Sequence, residues 1–197
     1  LFEKLSQNLK RKINKSKKSG ILIKQGSLEL LDDFYDVYSK NIHHLKSLNY
    51  GKSFFKDLML SYKNGEVKIF IAYKDGVIVG GGMLALYNGF YENMFFATDA
   101  EARKDYVSDL LHWEMIAYSI SDNRKHKYTN PIYSFGRSTK DSGVHKYKSH
   151  WPVKDFPLFN YTNISDARNS KLMTKLWALL PYAISKALGT KLIKHIY

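Results

Sequence analysis

The sequence predicts an α/β domain, a mixed sheet flanked by helices. Residues 67–97 read as three β-rich runs. They are separated by Lys74-Asp75-Gly76 and Asn88-Gly89, the residue types that close tight antiparallel hairpins. On both sides of that block the apolar residues recur every three to four positions, the spacing of a helix face. A chain of 197 residues suffices for one good-sized core.

Each element follows from its pattern. Leu1, Leu5, Leu9 and Ile13 keep a four-residue spacing, which predicts a helix ending in the lysine run before Gly20. Residues 21–24 predict a short strand. Ser27 is expected to cap a helix carrying Leu31, Phe34, Tyr35, Tyr38 and Ile42, and Ser53 a second carrying Phe54, Phe55, Leu58 and Met59. Residues 67–73, 77–87 and 90–97 predict an antiparallel meander. Gly80-Gly81-Gly82 lies inside a strand pattern, where a bulge or a close backbone approach is expected rather than a phosphate loop. Residues 106–121 are apolar nearly all round, as a buried helix is. Residues 133–136 predict a strand splayed beside the third strand of the meander, 144–151 a short helix and 156–161 a last strand. Residues 170–196 predict a helical tail interrupted at Pro181 and Gly189. In it Leu172, Leu176, Leu180, Ile184 and Leu188 form an apolar stripe among lysines. Such a stripe suits packing on protein or peripheral contact with a membrane.

Composition narrows the function. The absence of cysteine excludes disulfides, thiolate nucleophiles and cysteine metal sites. No metal site is expected from the seven histidines, which show no ligand spacing with carboxylates. The longest apolar stretch, 77–87, is far below the ~18 residues that span a bilayer. A cytoplasmic domain at the inner face of the membrane is expected. Net charge is +13, and residues 1–26 hold eight cations against one anion. Such a field attracts RNA, phosphate-bearing lipid carriers or anionic membrane. A solvated helix face in a lysine-rich chain explains it as well.

Several segments then combine. They are the basic run 10–20 ending in glycine, Phe34-Tyr35-Asp36-Val37-Tyr38, and Leu111-His112-Trp113-Glu114. With them go Phe135-Gly136-Arg137-Ser138-Thr139, Ser142-Gly143, Tyr147-Lys148 and Trp151. Together they resemble FemAB-like acyltransferases of the GNAT superfamily, in the branch associated with exopolysaccharide and PEP-CTERM sorting. The likeness is to the second of two GNAT-like domains. It implies a GNAT-like fold at residues 21–164, preceded by a basic helix at 1–20 leading in from a missing first domain, and followed by a helical tail at 165–197. Two positions depart from the pattern: Trp151 is followed by Pro152 instead of glycine, and Ser134 stands where the family often has aspartate.

The resemblance implies acyl or aminoacyl transfer to a cell-envelope precursor of peptidoglycan or exopolysaccharide. It implies a role for Lys148 at the transferred group, and places Gly143, Tyr147 and Trp151 at the substrate. On chemistry, Arg137 can fork onto a phosphate or carboxylate, with Ser138, Thr139 and Ser142 adding hydroxyl donors. The same residues equally suit a strand-to-helix turn, with Ser142 as a helix cap. Glu114, on the apolar helix, is the candidate for a buried carboxylate base. No further cofactor is expected, and the acyl donor is aminoacyl-tRNA or acyl-CoA. Residues 97–106 lack the glycine-rich turn that holds a CoA pyrophosphate on helix amides, while the basic N-terminus suits an RNA donor. The alternative is a catalytically silent GNAT-like module binding RNA or membrane. An open channel beside Arg137 and Lys148 would favour the enzyme, and a filled one the module.

Overall fold

The computed structural model describes residues 1–159, 161, 177 and 179–192. The elements, in order, are α1 (Gln7–Lys18), β1 (Ile21–Gly26), α2 (Leu31–His44), α3 (Lys52–Ser61), β2 (Glu66–Lys74), β3 (Val77–Tyr87), β4 (Phe90–Thr98), α4 (Val107–His126), β5 (Ile132–Ser134), α5 (Gly143–Lys148) and α6 (Tyr182–Leu192). The sheet order is β1-β2-β3-β4-β5. The first four strands are antiparallel neighbours, and β5 joins β4 in parallel. No helix among the described residues is long and apolar enough to cross a membrane.

Strand alternation sorts the core onto two faces. Val67, Ile69 and Ile71 of β2 meet Phe34 and Val37 of α2 and Phe55 of α3. Phe70 of β2 and Leu84 of β3 meet Leu111 and Met115 of α4. Leu9 and Ile13 of α1 lie in a third cluster with Val107 and Leu110 of α4. The glycine run lets both helix layers close down on β3. A Cβ on Gly81 would come 3.0 Å from Val37 Cγ1 and 3.1 Å from Phe34 Cδ2, and one on Gly82 would come 2.7 Å from Met115 Sδ. The pairing with β2 also shifts register here, between Ala72 and Tyr73. The close backbone approach expected of the run holds, and the bulge falls just before it, at Val79.

Five expectations are corrected. Ser27 does not cap a helix; its own amide donates to Glu29 Oε1 (2.8 Å), a 3₁₀ turn follows, and α2 begins only at Leu31. Ser53 lies inside the first turn of α3, with Gly51 at the cap. Residues 156–159 form no strand. Phe156, Leu158 and Phe159 are more than 70% exposed, and Pro157 removes a ladder donor from the middle of the run.

The tail helix packs by a different face from the expected stripe. Tyr182 Oη meets Ser39 Oγ at 2.7 Å, Ser185 Oγ meets His43 Nδ1 at 2.8 Å, and Gly189 presses on Asn49. Ile184 and Leu188 are left exposed. Gly189 continues α6 instead of interrupting it, and a side chain has no room there, since a Cβ would lie 2.5 Å from Asn49 Oδ1. Leu172 and Leu176 lie outside the described residues.

Candidate functional site

The sheet opens at one place. Parallel pairing of β4 with β5 runs from Phe90↔Ile132 to Glu92↔Ser134 and stops there. On its other side β4 carries a bulge, since Leu84 pairs with Asn93 and Met83 with Phe95, leaving Met94 as the extra residue. A bulge bends a strand and re-aims its side chains. Asn93, at the mouth of the gap, turns inward and is buried.

Facing it is His112 of α4, 2% exposed. Asn93 Nδ2 donates to His112 Nε2 at 3.0 Å, and His112 Nδ1 lies 3.0 Å from both the Ser108 carbonyl and the Tyr147 hydroxyl. The carbonyl can only accept, so the proton sits on Nδ1 and Nε2 accepts from Asn93. Burial drives the ring pKa down to about 3, against the pull of the Ser108 carbonyl, and Lys148 lowers it further. The imidazole is therefore neutral at pH 7. It stacks on Phe96 (3.9 Å between centroids) and Phe135 (5.0 Å), with Tyr147 and Trp151 at 5.5 and 6.1 Å.

Around this stack are buried polar atoms with no hydrogen-bond partner among the described residues: Asn93 Oδ1, Asp109 Oδ1 and Tyr133 Oη. Unpaired buried polar groups cost about 1–3 kcal/mol each, so their grouping calls for a reason. The Trp151 indole N–H lies beside the Tyr147 hydroxyl, outside hydrogen-bond geometry. Burial raises the Asp109 carboxyl above its ordinary value, with Lys12 and His150 opposing. It also raises the phenols of Tyr133 and Tyr147, and Asp109 and Tyr133 add to the rise at Tyr147. The result is a buried polar cluster at the gap: a carboxyl with a raised pKa, two hydroxyls and an amide.

The residues expected from sequence divide. Tyr147 and Trp151 join this cluster. Lys148 borders it, but its ammonium donates to the carbonyls of Gly136 (2.9 Å) and Arg137 (2.8 Å). Burial pushes its pKa down. Lys148 thus clamps the 135–138 loop. Gly136 is needed in that loop, since its φ is +67° and a Cβ would sit 3.0 Å from the Asn93 carbonyl oxygen.

Arg137, Ser138 and Thr139 are exposed on the loop's outer side. Ser134 accepts from the Gly136 amide (3.1 Å), holding the turn rather than orienting Arg137. Ser142 caps α5 by accepting from the His145 amide at 3.2 Å, and Gly143 opens that helix. Glu114 is not a buried base; its carboxylate is 32% exposed and pairs with Lys17 at 3.0 Å. Sequence reading missed Asp109, His112, Asn93 and Tyr133. The one available signal was an aspartate and a histidine three apart, and so on one face of the helix.

Beyond β4, residues 101–105 form a 3₁₀ turn. Asp99 Oδ1 accepts from the amides of Glu101 (2.9 Å) and Ala102 (3.2 Å). Those amides are therefore already satisfied, and by a negative charge.

A mixed sheet parting between its fourth and fifth strands, with polar groups gathered at the gap, defines an acyltransferase domain of GNAT type. The chain belongs to the acetyltransferase (GNAT) domain family, which matches residues 3–149. No curated protein matches it in sequence. Among solved structures, FemX shares the fold with a TM-score of 0.62 at 13% identity, over 76% of this chain and 53% of that one. This chain therefore spans about half the length of that FemX chain. An aminoglycoside acetyltransferase, meta-AAC0020 from an uncultured soil metagenomic sample, solved with sisomicin, gives 0.55 at 13% identity, over 75% and 99%.

Proposed function

We propose that this domain transfers an aminoacyl group from aminoacyl-tRNA to an amine of a cell-envelope precursor, of peptidoglycan or exopolysaccharide, as a FemAB-like enzyme. The observation that carries the donor assignment is the 98–106 segment. A CoA pyrophosphate needs free helix amides and close backbone approach. Here the segment has no glycine, and Asp99 takes the amides of Glu101 and Ala102, the first two of the 3₁₀ turn before α4. A donor held by its RNA body does not need that cradle.

In this reading Asp109 is the base. The precursor amine attacks the ester carbonyl, and its proton passes to Asp109. The carbonyl C–O bond to the ribose then breaks, and the proton goes on to the leaving ribose oxygen. Tyr133 and Tyr147 are the hydroxyls available to the developing oxyanion. Lys148 positions the loop that closes this space, and Arg137 faces outward, where an anionic precursor would arrive. Such a reaction belongs in the cytoplasm at the inner face of the membrane, with α6 as the peripheral contact.

A second reading has its own support. The space beside Lys148 is filled by His112, Phe135, Tyr147 and Trp151 rather than open, which favours a GNAT-like module that binds an anionic partner without transfer. One assay separates the readings. Labelled aminoacyl-tRNA and acetyl-CoA are each offered with amine-bearing envelope precursors. The proposal expects transfer from the RNA ester, cut at least ~100-fold by Asp109→Asn with the melting point retained. Transfer from acetyl-CoA alone overturns the donor assignment, and transfer from neither leaves the binding module.

A further inference from the structure

The outer face of α1 gathers cations in an unusual way. Arg11 Cζ and the ammonium groups of Lys12 and Lys15 lie 6.0, 5.7 and 5.2 Å from the centroid of one ring, that of Tyr106. Tyr106 itself sits at φ +57°, a left-handed conformation rare for a bulky residue and found preferentially at functional positions. None of the three cations is ion-paired within the described residues. Of the neighbouring carboxylates, Asp105 is held by Lys74 at 2.6 Å and Asp109 is buried on α4. A ring face attracts cations without cancelling their charge. Three positive charges are thus collected side by side with no ion pair of their own among the described residues. Lys104 adds to the same field, since it and Lys15 both act on Asp105.

We propose that this surface, Arg11, Lys12 and Lys15 arranged around Tyr106, binds the phosphodiester backbone of an RNA strand. The proposal deepens the RNA-borne donor reading and rests on it for the identity of the strand. Charge complementarity argues for a polyanion. The rest of α1 argues for nucleic acid over membrane. Its apolar side chains, Leu9 and Ile13, are spent inside the domain. Its exposed residues are Gln7, Asn8, Arg11, Asn14, Lys15, Lys17 and Lys18, with no apolar side chain to enter a bilayer. The surface also adjoins the candidate site: Lys12 acts on Asp109, three residues into α4 from Tyr106.

The test uses fluorescence anisotropy with uncharged tRNA and no acceptor, so it reads binding without transfer. Arg11→Gln/Lys12→Gln/Lys15→Gln should weaken binding at least tenfold. It should also flatten the slope of log K against log salt by about 2 to 3, at roughly 0.7–0.9 for each phosphate no longer neutralised. Tyr106→Asn, which tolerates the left-handed backbone and leaves net charge unchanged, should weaken binding about threefold or more, because the ring that gathers the cations is gone. Lys63→Gln/Arg124→Gln/Lys125→Gln removes the same charge far from α1 and should have little effect.

Equal weakening by that remote triple would show a diffuse charge effect and overturn the proposal. So would binding to phosphatidylglycerol vesicles, abolished by the α1 triple, without tRNA binding. If tRNA binds here but no aminoacyl transfer occurs, the surface stands and the transferase reading falls.

Discussion

His112 makes the domain acid-sensitive in a way that one substitution should remove. In the unfolded chain the imidazole takes a proton near pH 6.5; in the fold it resists protonation down to about 3, because the charged ring would be buried among Phe96, Phe135 and Trp151. Between those values the unfolded state binds more protons, so stability falls as pH falls, by about 1.4 kcal/mol per unit. Moving from pH 7 to pH 4.5 should cost about 2–3 kcal/mol from this residue. Asp109 acts in the opposite direction. Its folded pKa is raised above the unfolded value, so its contribution is present at low pH and lost as pH rises through the folded pKa. Lys148, with its pKa lowered from the lysine range, acts well above this window. His112→Phe keeps an aromatic ring in the stack and removes the titration. Urea unfolding at pH 7.0, 5.5 and 4.5 should show the wild type losing about 2–3 kcal/mol more than the variant, the shared terms cancelling in the difference. Parallel pH profiles for the two proteins would refute the neutral, buried imidazole.

Other outcomes follow from the same geometry. Gly136→Ala should destabilise by about 1–2 kcal/mol for the left-handed backbone alone, and by more from the 3.0 Å approach to the Asn93 carbonyl; chemical denaturation reads it. Lys148→Met should cost about 1–2 kcal/mol by releasing two carbonyls, whereas Arg137→Ala should change stability by less than about 0.5 kcal/mol yet reduce transfer. Loss of stability in the Arg137 variant would make that residue structural. Gly189→Leu should strip hydrogen-exchange protection from α6 by forcing Asn49 aside, while Ile184→Gln/Leu188→Gln should leave it intact, because those side chains face outward.

Most of the sheet was readable in the sequence because its signals are local. The turns at Asp75-Gly76 and Asn88-Gly89 need positive φ, and the structure places all four residues there. β-Branched and aromatic runs between them could only be strands. The errors are also local in origin. Ser27 and Ser53 have the right chemistry for caps, but the chain enters each helix with a backbone geometry that composition does not reveal. Residues 156–161 have strand-like side chains, and Pro157 weighed too little against them. At the tail the four-residue leucine spacing pointed to one face, while close packing against α2 and Asn49 selected the face with Ser185 and Gly189. A small face can approach closely and a leucine face cannot; periodicity alone does not register that difference.

The site was less legible for a physical reason. Arg137, Lys148 and Glu114 attracted attention because charged residues are the conspicuous carriers of chemistry. The fold uses Glu114 in a surface pair with Lys17 and Lys148 as a backbone clamp, and leaves Arg137 at the rim. The interior is built instead from groups whose importance depends on burial: a histidine held neutral at pH 7, and an aspartate and phenols with raised pKa. None differs in sequence from an ordinary polar residue on a helix or strand. What distinguishes them is that the β4 bulge turns Asn93 inward where the pairing with β5 ends, and that α4 sets Asp109 and His112 beside that gap. A site made by the parting of two strands is a property of register, and a single sequence carries register only through the turns that bound it.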